Sequence, residues 1–262
     1  MYDALNPCFL TTREMPRSSW RVILDGFLNL IYPESCFVCA SPTDRGHNCG
    51  LCDDCWRKIL ELRIVGPSCP SCGMPLPGLA PGSTSICLDC LQKVPPYVGA
   101  RSFGYYSMEM RQLIHELKFN GRRNLAELAA PLLARTLLDS WRREDFDFIT
   151  AVPLHPARRR DRGFNQSELL ARSLASVVGI PEVNTLRRVT NTRPQIGLSD
   201  TQRQENVRNA FRCAHPEKVT GKRILLIDDV MTTGATVMWA SQALLDAGAE
   251  KVAVMTAARA LR

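Results

Sequence analysis

The segment Ile224 to Thr236, ILLIDDVMTTGAT, places two adjacent carboxylates, Asp228 and Asp229, just ahead of a turn rich in hydroxyls. The backbone N–H groups and hydroxyls of Thr232, Thr233, Gly234, Ala235 and Thr236, followed directly by a helix, form a cradle for an anion and best suit a phosphate monoester. Carboxylates just before such a cradle accept hydrogen bonds from sugar hydroxyls, so the spacing fits a ribose 5-phosphate. A plain capping turn would avoid putting two carboxylates at the end of a buried strand, where desolvation and mutual repulsion both oppose them. A Walker loop is excluded because no GK[ST] follows, and a Rossmann fingerprint because GxGxxG is absent.

A second chemistry lies upstream. Cys36/Cys39, Cys52/Cys55, Cys69/Cys72 and Cys87/Cys90 make four CxxC pairs separated by 12, 13 and 14 residues. Two residues between cysteines let a tight knuckle aim both sulfurs at one tetrahedral ion, and two knuckles complete a closed zinc site. Two structural zinc ions are expected, with no open position for catalysis. Sequential pairing, 36/39 with 52/55 and 69/72 with 87/90, is the simplest arrangement; interleaved pairing fits the same spacing, and Cys49 is a spare candidate ligand. Cys8 and Cys213 read as ordinary thiols. A redox CxxC would sit singly in a βαβ context, which four successive pairs do not.

These residues need elements to hold them. Strands are expected at Ala100–Tyr106, Asp147–Val152, Asn184–Val189, Arg223–Ile227 and Val252–Thr256. Helices are expected at Met108–Phe119, Leu125–Trp141, Gln166–Val178 and Ala235–Ala247. Alternation of this kind implies an α/β fold, a parallel sheet with helices on both faces and ligands at the carboxyl ends of its strands. Val22–Tyr32 reads as an amphipathic helix that packs on its own protein. The organisation expected is an extension at 1–24, the amphipathic helix and double zinc ribbon at 25–97, and the ligand-binding domain at 98–262.

Composition agrees with a globular chain: 262 residues, 45% hydrophobic and 23% charged. No apolar run reaches the roughly 20 residues of a membrane span, and no secretory signal is evident, so a reducing, cytoplasmic location is expected. The net charge of +7 is local. Residues 155–223 hold 14 Lys/Arg against 6 Asp/Glu, or +8, while 1–97 carry −1, 98–154 carry +1 and 224–262 carry −1. That distribution favours a polyanion cleft over general affinity for DNA.

The Ile224–Thr236 segment resembles the phosphoribosyl pyrophosphate (PRPP) signature of the type I phosphoribosyltransferases. Together with the segments VPLHPARRRDRGFNQSELLA (Val152–Ala171) and LRRVTNTRPQIGLSDTQRQENVRNAF (Leu186–Phe211) and the double zinc ribbon, the chain resembles the ComF family, associated with DNA uptake for competence or nutrition. The resemblance implies a type I phosphoribosyltransferase fold. It makes Asp228 and Asp229 ribose ligands and residues 232–236 the 5-phosphate loop. Pro153–Arg160 would take the place of the pyrophosphate loop and Arg187–Arg203 that of the hood. Arg158, Arg159, Arg160 and Arg162 follow a strand end, where forked guanidiniums can bind pyrophosphate while Mg²⁺ bridges its oxygens. Arg158, Arg160, Arg187 and Arg188 join the expected substrate-binding set, and Arg187, Arg188, Gln195, Arg203 and Asn206 are candidates to close over the ligand. His155 reads as a turn residue. Lys118-Phe119 matches a further family motif, which places it near the cleft.

One departure is chemical. Hypoxanthine-type relatives carry an aspartate general base where this chain has Thr232, while orotate-type enzymes also lack an acid there, so the resemblance leaves the catalytic base unassigned. Three readings follow: a Mg²⁺-dependent phosphoribosyltransferase of nucleotide salvage; a sensor of PRPP or a nucleotide that handles single-stranded DNA; and a zinc-ribbon adaptor for uptake proteins, including a helicase.

Overall fold

The computed structural model describes residues 35–43, 50–80, 82–190 and 209–261. The helix expected at Val22–Tyr32, together with Cys8, Cys49, Gln195, Arg203 and Asn206, lies outside the described residues.

In chain order the elements are α1 (Asp53–Glu61), α2 (Leu88–Gln92), β1 (Gly99–Tyr105), α3 (Met108–Phe119), α4 (Leu125–Ser140), β2 (Phe148–Ala151), α5 (Pro156–Arg162), α6 (Gln166–Val178), β3 (Leu186–Arg188), β4 (Phe211–Cys213), α7 (Pro216–Val219), β5 (Arg223–Met231), α8 (Ala235–Asp246) and β6 (Lys251–Arg259). The main sheet has the order β1-β6-β5-β2, with every pairing parallel. Because side chains alternate along a strand, β5 feeds two cores. Leu225 and Ile227 pack with Leu117, Leu133 and Leu170 from α3, α4 and α6. Ile224 and Leu226 pack with Val237 and Leu244 of α8 on the other face. This apolar run, fully buried on both sides, makes β5 the stiff platform of the site.

The zinc-ribbon segment is not a separate bead. Cys36, Cys55, Trp56 and Ile59 join the core on the α3/α4 face, whereas Cys69, Cys72, Cys90 and Tyr97 join the α8 face. Between the knuckles the chain covers the exposed edge of β1: Ile64 N donates to Phe103 O, Tyr105 N to Leu62 O and Ala100 N to Ser71 O. Covering an edge in this way removes a template for unwanted strand pairing. Gly73 is required at the contact, since it has φ +69 and a Cβ there would meet Ala100 O at 2.4 Å.

Three features differ from the sequence expectation. β5 runs on to Met231, so both aspartates lie within the strand, with Asp228 in register with Thr256 of β6. The strand near 184–189 leaves the parallel sheet and pairs antiparallel with β4, Leu186 opposite Cys213. Finally, the arginine-rich segment expected as a loop coils into α5, with Pro156 at its first turn, His155 Nδ1 accepting from Ala157 N and Gly163 ending it in the left-handed conformation. Proline at the start and glycine just past the end are helix signals, and arginine is itself a good helix former. His155 is a cap, as its turn reading implies.

Candidate functional site

The structure brings the acid pair, the arginine helix and the end of α3 together. Asp228 and Asp229 are only 7% and 5% exposed. Asp228 Oδ1 accepts from Ser167 Oγ at 2.9 Å and from Asp229 N at 3.0 Å. Asp229 Oδ1 accepts from Val230 N, and its Oδ2 pairs with Lys118 Nζ at 2.6 Å. Burial and the adjacent Asp229 charge push the Asp228 carboxyl up to about 7, against the pull of Ser167, Lys118 and the Asp229 amide. Asp228 is thereby poised to exchange a proton near neutrality.

Ser167 reaches Asp228 because Asn165 sets the start of α6. Its carbonyl accepts from Ser167 N at 3.1 Å, and its amide donates to Val152 O at 2.9 Å, just past β2. Sequence reading missed Ser167. The signal was there in the asparagine cap two residues before it.

The arginines divide. Arg162 is half-buried within the field of Asp229, donates to Gln166 Oε1 and lies over the Phe119 ring at 4.9 Å. Arg158 lies within electrostatic reach of both Arg162 and Arg188. Arg159 turns to Glu168 at 2.7 Å, and Arg160 is exposed. On β3, Arg188 is buried over the Phe211 ring at 5.3 Å, while Arg187 points the other way and is exposed. Burial and the Arg158 charge lower Arg188 to about 10, with Asp228 opposing them. Arg162, Arg188 and the Lys118 ammonium therefore converge on two carboxylates, with Arg158 beside the two guanidiniums, an excess of positive charge that suits an incoming polyanion.

The turn after β5 bends over Thr232–Gly234, and α8 begins at Ala235. Gly234 has φ +78, and a Cβ there would approach Met231 Cε to 3.0 Å. Thr233 Oγ1 accepts from Ala235 N at 3.3 Å. Thr236 follows in the first turn of α8, so all five residues expected to form the cradle lie at the N-terminus of one twelve-residue helix.

Upstream, the cysteines form two groups, Cys36/Cys39/Cys52/Cys55 and Cys69/Cys72/Cys87/Cys90, with the sulfurs of each within 4.8 Å of one another. The pairing is sequential. Four sulfurs around one zinc at about 2.3 Å stand roughly 3.8 Å apart, and the Cys39–Cys52 and Cys72–Cys87 sulfurs are 3.5 and 3.6 Å apart. None of the described cysteines is in a disulfide. The groups fit two structural zinc ions.

A parallel sheet that carries an acid pair into a threonine-rich turn at a helix N-terminus, with two four-cysteine clusters docked on it, defines a double zinc ribbon joined to a phosphoribosyltransferase-type domain. Family comparison agrees: the double zinc ribbon domain matches residues 27–91 and the phosphoribosyl transferase domain residues 163–261. The chain is 37% identical over 237 residues to the DNA utilization protein YhgH of Salmonella typhi, covering 88% of this chain and 100% of that protein. It is 33% identical to competence protein F of Haemophilus influenzae, over 80% of this chain and 91% of that one, and 30% identical to competence protein ComFC of Streptococcus pneumoniae, over 80% and 87%. The chain belongs to the ComF family of DNA utilization and competence proteins.

Proposed function

We propose that the protein binds PRPP with Mg²⁺ at the carboxyl end of β5 and serves the handling of DNA, in nutrition or in competence. The observation that carries this reading is the buried Asp228/Asp229 pair set directly before the Thr232–Thr236 turn and faced by Arg162 and Arg188, with Arg158 beside them. Asp228 and Asp229 hold the ribose hydroxyls. Residues 232–236 hold the 5-phosphate through backbone N–H groups and the α8 terminus, and the arginines take the pyrophosphate end by forked hydrogen bonds. Mg²⁺, when bound with the ligand, neutralises charge that develops on pyrophosphate. Arg188 stands on β3, buried within the field of Asp228, where a guanidinium can take part in holding the pyrophosphate end.

With Thr232 in place of an acid, the position that carries the general base in hypoxanthine-type relatives cannot move a proton here, so phosphoribosyl transfer depends on another group, on an acceptor that needs no such help, or on electrostatic stabilisation. Pyrophosphate release with PRPP, Mg²⁺ and a panel of nucleobases tests the transferase. Release above the rate without acceptor establishes it; binding without release assigns a sensor. The names of the relatives support the DNA role. Single-stranded DNA contact through the basic stretch 155–223 is part of the proposal and must weaken steeply with salt; binding that ignores salt removes it. Among the described residues no helix is long and apolar enough to cross a membrane, and the free cysteines support work in a reducing compartment, on the cytoplasmic side of uptake.

A further inference from the structure

Arg259 ends β6 and is 4% exposed. Its Nη1 donates to Cys72 O and to Met231 Sδ at 3.1 Å, and its Nη2 lies 3.6 Å from Cys72 Sγ. Its Nε is buried without a partner. Among the described residues no carboxylate stands within ion-pair distance of this guanidinium, whereas Arg159, Lys118 and Arg223 each have one. A buried charge without a counter-charge is costly, by several kcal/mol.

The second cysteine cluster can supply the missing charge. Four thiolates and one Zn²⁺ sum to about −2, and Arg259 lies against one of those sulfurs. Zinc binding displaces the thiol protons to solvent, so no oxidant or reductant enters.

The same Nη1 of Arg259 that holds Cys72 O also rests on Met231, the last residue of β5 before the cradle. Met231 O accepts from Ala260 N at 3.0 Å. Met231 Cε lies against Gly234, and Tyr97 Oη stands 3.8 Å from the point a Gly234 Cβ would occupy. Tyr97 is itself buried among Cys72 and Cys90. One cleft of about 250 Å³ is lined by Cys72, Cys90 and Tyr97, by Thr233 and Gly234 of the turn, and by Arg259. The first cluster is set apart, packed with Trp56 and Ile59 on the opposite face of the sheet.

We infer that Arg259 is a positioning residue that serves as counter-ion to the second zinc cluster and thereby makes the order of the 231–236 turn depend on zinc at Cys69, Cys72, Cys87 and Cys90, but not on zinc at the first cluster. The coupling to the turn stands on geometry alone; its consequence for a phosphate ligand rests on the proposed function. By linkage, a ligand that orders the turn must also hold that zinc more tightly.

The test uses the full zinc-loaded chain. Hydrogen exchange of the peptide spanning 229–238 is compared with that of Cys87→Ser/Cys90→Ser and of Cys36→Ser/Cys39→Ser, and with wild type from which a chelator has drawn one zinc equivalent, so that misfolding of a variant does not decide the matter. The expected result is exchange at 232–236 about tenfold faster when the second zinc is lost, with no change when the first is lost. In parallel, zinc release to a colorimetric chelator from Arg259→Met should show one of two equivalents leaving about tenfold faster, the loss expected for a partner of a metal ligand, with Arg259→Lys intermediate. Ribose 5-phosphate should slow that same equivalent in wild type. Unchanged exchange at 232–236 after loss of the second zinc, or identical release from Arg259→Met and wild type, overturns the inference. Faster exchange together with failure of ribose 5-phosphate to bind in a calorimetric titration would leave the coupling intact and refute the phosphate-site reading instead.

Discussion

Lys118 at the end of α3 pairs with Asp229 of β5 at 2.6 Å, across 111 residues of sequence. The contact ties the first helix of the transferase-type domain to the acid pair at the centre of the site. It also helps to keep Asp228 ionised, since the Lys118 charge opposes the burial that raises that carboxyl. Lys118→Met should therefore move the pH at which Asp228 ionises upward by about one unit. An ionised carboxylate accepts from ribose hydroxyls more strongly than a neutral carboxyl, so PRPP affinity should rise from pH 6 to 8 in wild type and rise later in the variant. Calorimetry across that range checks this; an unshifted midpoint would show that Lys118 does not bear on the pair.

Asp228→Asn should raise stability while it weakens ligand binding. The folded carboxyl titrates near 7 and the unfolded one near 3.9, so between those values the folded state binds more protons and stability falls as pH rises. Asparagine escapes that loss. Thermal melts should show the variant more stable at pH 8 by about 1–3 kcal/mol, with the gap closing toward pH 5. A variant that is less stable at pH 8 would contradict the account.

Gly234→Ala should damage the turn specifically. The left-handed backbone resists a side chain, and Met231 Cε leaves it little room. A stability loss of about 1–2 kcal/mol is expected, with PRPP affinity falling by more than stability alone explains. Equal affinity in a folded variant would mean that the turn does not hold the phosphate.

Zinc should be lost in acid. Burial pushes the Cys72 thiol up to about 11 and Cys55 and Cys90 higher still, while hydrogen bonds lower Cys39 to about 6 and, against burial, Cys69 to about 7, so the metal must displace protons from the raised thiols to bind and loses that competition as pH falls. Zinc retained after dialysis should drop from two equivalents as pH is lowered from 8 to 5. The loss should be accompanied by a fall in global stability, because Cys36, Cys55, Cys69, Cys72 and Cys90 belong to the shared cores. A transferase-type domain that melts unchanged without zinc would argue for independent domains.

Much of this architecture was legible from periodicity and spacing. The buried run of β5, the helix of α8 and the CxxC pairs each carry a strong local signal, and the sequential cysteine pairing followed the simplest reading. Long-range choices were less visible. That Arg188 faces inward and Arg187 outward depends on the phase of a three-residue strand, and that Arg162 rather than Arg160 approaches Asp229 depends on the turn of α5. Ser167, Lys118 and Arg259 meet their partners only through tertiary packing. Nothing in the spacing of Arg259 from Cys72, 187 residues away, foretells their contact. The division of the ribbon between two faces of the sheet was equally hidden, because it follows from how the 62–71 segment covers β1.

The most direct measurement is a calorimetric titration of the zinc-loaded protein with PRPP in the presence of Mg²⁺, repeated with Asp228→Asn/Asp229→Asn after the variant is shown to be folded. The account predicts saturable binding at one site per chain in wild type and at least a hundredfold loss in the double variant, about 2.7 kcal/mol or more. No binding by wild type, or equal binding by the double variant, would contradict it.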